Sequence, residues 1–234
     1  MTVRQRRCRR FELGLALVPL ALMLLALLPA IPVPADVAAA DDPMAVARAG
    51  VDETIAIFRN PSMTLAVRRE RLREVADRFI DFNDMSRSVL GYHWRELTPA
   101  QRAEFVPLFT GFIQDALLSR LHQSTVERIR QGVASATVTF TRERFDGPDY
   151  AEVFTSVLVP TAQQDPLQVT LMMHRTGTSW RCYDITVDAI SVISNYRNQF
   201  NRVINEQGFP RLVEDLKLKR AAFEQEMSRP EPSS

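Results

Sequence analysis

Past Gly132 the apolar residues change period, and this change constrains the fold more than any other feature of the chain. Ala136, Val138 and Phe140 alternate with Thr137, Thr139 and Thr141. Alternation at period two is a strand with one covered face. Val169, Leu171 and Met173 repeat the pattern, as do Tyr183, Ile185 and Val187. Tyr150 to Val159 reads as a further strand whose facing is ambiguous. Gly147-Pro148, Asp165-Pro166 and Gly177 mark the connections. Links of hairpin length predict an antiparallel four-stranded meander with one covered face.

The flanks read as helices. Pro43 to Phe58 carries Val51, Thr54, Ile55 and Phe58 at helical spacing, and Asn60-Pro61 stops it. Leu65 to Phe79 carries Leu72, Val75, Ala76 and Phe79. Asn83 to Trp94 reads as a short helix ending near Gly91. Thr98-Pro99-Ala100-Gln101 is a helix start with a capping box. From it Phe105, Phe109, Phe112, Ile113, Ala116, Leu117 and Leu121 form a broad stripe. Pro107 inside this helix is expected to bend it or delay its start. After the strands, Ser191 to Gln207 and the segment from Pro210 read as two closing helices separated by Gly208. Strand runs flanked by helix runs make the domain α+β.

The first 40 residues are expected to lie outside this domain. Arg4, Arg6, Arg7, Arg9 and Arg10 precede the apolar run Leu13 to Leu28. Small residues follow, with Ala35 before Asp36 or Ala40 before Asp41 as the cleavage point. That order describes a secretory signal peptide, and the apolar run is shorter than the ~20 residues of a spanning helix. An uncleaved anchor is the alternative reading, and Arg9-Arg10 leaves the export route open between the general and twin-arginine pathways. Cys8 precedes the apolar run, so a lipidated cysteine is not expected, and the mature chain keeps only Cys182. Of 29 basic and 28 acidic residues, the leader takes five arginines, Glu12 and Asp36, leaving 24 and 26. A charge near −2 carries no footprint for nucleic acid or an anionic membrane. Residues 41–227 suit one domain, and 228–234 read as a disordered tail.

Few residues point to reaction chemistry. His93, His122 and His174 share no ligand spacing, so no metal site is expected. Asp81 and Asp84 are paired carboxylates at a helix start, where capping explains them better than acid–base work. Asp184 is expected to anchor a hydrogen bond, and Cys182 to behave as a small buried hydrophobe. Ser86, Ser191 and Ser194 lack a nucleophile context.

The segment Asp81-Phe82-Asn83-Asp84-Met85-Ser86-Arg87-Ser88-Val89-Leu90-Gly91, continuing through Trp94-Arg95 to Pro99, Gln101 and Arg102, is distinctive. It resembles the D-F-x-x-M-S-R-x-V-L-G-x-x-W-R-x-x-x-P-x-Q-R segment of the MlaC family, the toluene-tolerance auxiliary component of an ABC transporter. Trp180-Arg181-Cys182-Tyr183-Asp184-Ile185 is similar to that family's W-K/R-V-Y-D-V strand. Asp188-Ala189-Ile190-Ser191 stands where the family shows E-G-V-S, and Asn195-Tyr196-Arg197-Asn198-Gln199-Phe200 resembles its N-Y-R-x-Q-F. Gly208-Phe209 precedes the last helix as in the family. The departures are Cys182 for Val, Ala189 for Gly, and Pro107.

The resemblance implies a cystatin-like or nuclear-transport-factor-like curved sheet covered by helices, with an apolar cavity between them. It implies a periplasmic phospholipid carrier with no cofactor. Its partners would be an outer-membrane lipoprotein–porin complex and an inner-membrane ABC transporter with a lipid-binding periplasmic subunit, and its role maintenance of outer-membrane lipid asymmetry. Within that frame the expected lining is Phe112, Leu117 and Leu121 of the long helix, Val138, Phe140, Val169, Leu171, Met173 and Val187 of the strands, and Ile190 at the strand-to-helix corner. A periplasmic enzyme that reuses the cavity, and a chaperone or adaptor without one, are the rival readings.

Overall fold

The structure is a computed structural model that describes residues 42–119, 132, 137–158 and 165–228. The leader, Cys8, Leu121, His122 and residues 229–234 lie outside the described residues. Among the described residues five helices precede the sheet: α1 (Pro43–Arg59), α2 (Leu65–Phe79), α3 (Phe82–Leu90), α4 (His93–Glu96) and α5 (Pro99–Leu118). The strands are β1 (Thr137–Phe145), β2 (Tyr150–Leu158), β3 (Leu167–Thr176), β4 (Ser179–Val187) and β5 (Ile190–Ser191). Helices α6 (Val192–Gln207) and α7 (Phe209–Ser228) follow, so Ser228, expected in the tail, is helical.

Local chemistry sets the helix ends. The Asp42 carboxylate accepts the Met44 amide at 2.9 Å to open α1, with Pro43 in the first turn. At its far end the Arg68 guanidinium, 4% exposed, donates to the carbonyls of Ile57, Phe58, Asn60 and Met63. The first two of those carbonyls, in the last turn of α1, would otherwise be helix-end orphans. Thr98 and Gln101 form the expected capping box. Pro107 removes one ladder donor, yet α5 runs unbroken across it. The helix expected to end near Gly91 does so, as α3, because Gly91 turns the backbone to φ +56°, and Trp94 falls in the separate short helix α4. At Gly91 a side chain would be strained.

The sheet is antiparallel in the order β1-β2-β3-β4-β5, a meander of five strands where four were expected. The fifth has two residues, too short for alternation to reveal. It pairs with β4 across a tight turn in which Asp188 lies at φ +46° and Ala189 at φ +67°. Two-residue hairpins of this hand favour Asn, Asp or Gly, so Ala189 occupies a position that suits glycine. Two bulges bend the strands. One adds Thr141 opposite the Thr155/Phe154 pair, and the other adds Tyr183 opposite Met172/Met173. The second bulge breaks the expected alternation. Ile185 and Val187 face the core, whereas the Tyr183 ring packs on Tyr150 and His174 on the other face. On β2 the inward set is Ala151, Val153, Thr155 and Val157.

Helix α1 crosses the inner face, touching β1, β2 and β4, and buries Ala47, Val51, Ile55 and Phe58. Outside this layer α3, α5, α6 and α7 pack on one another. Phe105, Phe109 and Phe112 of α5 interlock with Tyr196 and Phe200 of α6 in edge-on pairs 5.5–6.3 Å apart. Asp115, 3% exposed, ties three helices together by accepting from Arg73 of α2 at 3.1 Å and Arg220 of α7 at 2.9 Å. A Cβ on Gly111 would collide with the Arg220 guanidinium, so the small residue admits that arginine.

Candidate functional site

The meander brings six expected lining residues onto one surface. Val169 pairs directly with Val187, and Phe140 pairs with Thr155, itself paired with Val169. Leu171 and Met173 continue that face, and Val138 occupies its β1 end. Val138, Val169, Leu171 and Met173 are buried, and Phe140 and Val187 are partly buried against the same core. The Arg48 guanidinium of α1 lies 4.3 Å above the Phe140 ring, closing that edge with a cation–π contact. Ala151, Val153, Val157 and Ile185 share this surface and were absent from the expected lining. The missing signal was the facing of β2, which only its register with β3 decides.

The remaining expected residues lie elsewhere. Leu117 is half-buried in the last turn of α5. Ile190 is 52% exposed in β5, so it stands at the rim of the inner face. Phe112 faces the space between α5, α6 and α7, where it lines a cleft with Tyr196, Phe200, Val203 and Leu216. Helical phase gave α5 a broad stripe but did not say which neighbour each part of it would meet.

Several polar groups cluster away from this surface. Asp81 caps α3 by accepting the Asp84 amide at 2.9 Å, as expected, and its other oxygen lies 3.1 Å from Nε2 of His174. Thr176 Oγ1 lies 3.3 Å from that same nitrogen. A relay from carboxylate to hydroxyl uses both ring nitrogens, one for each partner. Here acid and hydroxyl meet one nitrogen, which is the geometry of a structural anchor. Burial pushes the Asp81 carboxyl up, but the Asp84 amide and the His174 and Arg181 charges outweigh it and hold it below the ordinary range. The Tyr183 hydroxyl is pushed up to about 12 by burial first and by the neighbouring Asp184 charge. Neither phenol nor thiol is activated, since burial also drives the Cys182 thiol upward.

Asp184 is the anchor that the sequence suggested. One oxygen accepts the amides of Ile185 at 2.8 Å and Ile193 at 3.0 Å, and the other accepts the Ser191 hydroxyl at 2.5 Å. Ser191 in turn caps α6 by accepting the Ser194 amide at 2.9 Å. The corner between sheet and helix is therefore held by one buried carboxylate. Burial raises its proton affinity, and these donors, with Arg197, pull it back only in part. The site as a whole is an apolar face with structural polar groups at its margins.

Comparison with known proteins gives two positive findings. The chain matches the family described as MlaC protein over residues 48–218. Its fold matches a solved phospholipid-binding protein from Ralstonia solanacearum, in complex with a phospholipid, at a TM-score of 0.62 and 19% identity. The match covers 78% of this chain and 99% of that one. No curated protein sequence matches. The architecture is thus one that accommodates a phospholipid in another protein.

Proposed function

The chain belongs to the MlaC family, whose pattern spans residues 48–218, and on that premise we propose that it is a phospholipid carrier of an Mla-type system. The carrying observation is the union of family membership with the apolar inner face of the sheet, on a fold that holds phospholipid in the Ralstonia solanacearum protein. Burying a methylene is worth about 0.8 kcal/mol, so exposing the roughly 30 methylenes of two acyl chains costs on the order of 20 kcal/mol. A protein that moves such a lipid through water must enclose both tails. The tails would lie between the inner strand face and the helices over it, with Leu117 on the helical side and Ile190 at the rim. An aqueous head group needs only a few polar contacts at such a rim.

The lipid would pass between an outer-membrane lipoprotein–porin complex and an inner-membrane ABC transporter with a lipid-binding periplasmic subunit. That exchange would serve outer-membrane lipid asymmetry. The leader fits export to the periplasm, where a free carrier of this kind is needed. Because exchange returns the tails to a membrane at each end, its net free energy is small and the partners set its direction.

The test is transfer between vesicles. Donor vesicles of labelled phosphatidylethanolamine are mixed with unlabelled acceptors and the purified mature chain. The expected result is transfer that rises in proportion to protein concentration without vesicle fusion. A rate equal to the protein-free control at every concentration would overturn the proposal.

A further inference from the structure

Between α5, α6 and α7, on the helical side of the molecule, lies a cleft of about 190 Å³. Its floor is Phe112, Tyr196, Phe200, Val203 and Leu216, almost wholly apolar. Its mouth carries charges from two helices, Arg202 of α6 with Asp215 and Lys219 of α7. Arg211 lies 2.9 Å from Asp215 and 3.1 Å from Glu214, so one guanidinium serves both carboxylates, and at the mouth Arg202 and Lys219 together outnumber Asp215 by one charge. Lys219 leans over the floor, with its ammonium 6.0 Å from the Phe112 ring centre. Arg202 stands exposed on the opposite lip. An apolar floor beneath a net positive mouth is complementary to one kind of molecule, a single alkyl chain ending in an anion.

Size sets the length of that chain. A dry apolar cavity of about 150 Å³ takes a benzene ring. A cleft somewhat larger therefore admits roughly seven or eight carbons, far fewer than two acyl tails. We propose that this cleft is a second binding site, separate from the inner face of the sheet, for the end of a single-chain anionic amphiphile such as a fatty acid or a lipid with one chain and a phosphate head. The chain end packs against Phe112, Tyr196 and Val203, and the anion meets Arg202 and Lys219. Charge-assisted contacts from two helices orient the head, while the ring edges supply the apolar contact.

The test uses purified protein whose phospholipid content is first measured by solvent extraction, so that this site and the carrier reading fail separately. Octanoate, octyl phosphate and neutral 1-octanol are titrated in by calorimetry against the wild type, Arg202→Gln and Val203→Trp. The expected result is one site for octanoate or octyl phosphate, whatever the phospholipid content, with 1-octanol bound at least several-fold more weakly. Tighter binding of octanoate marks a carboxylate head and of octyl phosphate a phosphate head, and either supports the site. Arg202→Gln should weaken the anions about threefold to tenfold, and Val203→Trp should abolish binding by filling the floor. Should Val203→Trp fail to fold, Arg202→Glu replaces it, with a larger loss expected than for Gln. Absence of binding, equal affinity for 1-octanol, or anion affinity unchanged in the Arg202 variants overturns the proposal.

Discussion

Replacing Asp184 separates an anchoring carboxylate from a merely buried one. In Asp184→Ala the amides of Ile185 and Ile193 lose their acceptor and stay buried, and the Ser191 hydroxyl loses its own. An orphaned buried donor costs about 1–3 kcal/mol. Two of them, less the relief of no longer burying a carboxylate, give about 3 kcal/mol, or a Tm lower by about 6–12 °C in a domain of this size. Asp184→Asn should be far milder. Its Oδ1 can accept both amides, and its Nδ2 can donate to Ser191 Oγ, which has a second lone pair beside the one used by Ser194. The loss should stay near 1 kcal/mol. The pH dependence has a definite sign. A folded carboxyl with raised proton affinity stabilises the fold below its ordinary range and loses that contribution as pH rises through the folded value. The uncharged asparagine has no such loss, so its deficit relative to wild type should shrink between pH 4 and pH 8. Urea unfolding followed by circular dichroism measures all three proteins. Equal losses in the two variants, or a loss below about 1 kcal/mol in the alanine variant, would refute the anchoring account.

Ala189→Gly should stabilise by about 0.5–1 kcal/mol, because a left-handed alanine costs about 1–2 kcal/mol and glycine returns part of that gain as chain entropy; a thermal melt should shift upward by about 1–4 °C, and a lower Tm would contradict the strain. Asp81→Asn tests the capping pair from the acid side. The depressed Asp81 carboxyl adds stability above its ordinary range and loses it as pH falls through the folded value. The gap between wild type and variant should be widest above the ordinary carboxylate range, narrow as pH falls through it, and close only below the depressed folded value, where the Asp81 carboxyl is itself protonated; a gap that stays constant as pH falls would argue against it. Leu117→Glu places a charge at a half-buried position of α5, and extraction of the folded variant should yield little phospholipid; a full lipid load would remove Leu117 from the lining.

Legibility followed the range of the interactions. Capping is local, so Thr98, Pro99 and Gln101 announced the start of α5, and Asp81 announced that of α3. Alternation is also local, and it put Val138, Phe140, Val169, Leu171 and Met173 on the face they share. The curvature was less visible, since a bulge is one residue: the Tyr183 insertion moves that ring to the other face and shifts the inward set from Trp180 and Cys182 to Ile185 and Val187. Long-range pairs left no trace at all. Arg68 at the end of α1, and Asp115 between Arg73 and Arg220, join residues up to 105 positions apart. Phe112 shows the same limit within the site. Its spacing along α5 proved it apolar and inward, but only the packing of α6 and α7 decided that it meets their cleft and not the strands. Family resemblance supplied what periodicity lacked, because an apolar stripe reads alike whether the space it faces is filled by side chains or by lipid tails.

Native mass spectrometry of the mature chain, purified without detergent or added lipid, reads directly whether the protein holds a phospholipid. A phospholipid carrier gives a dominant species heavier than the polypeptide by one phospholipid mass, which collisional activation converts to the bare chain with release of an intact phospholipid. A bare polypeptide as the only species, unchanged after incubation with phospholipid vesicles, would contradict the carrier reading.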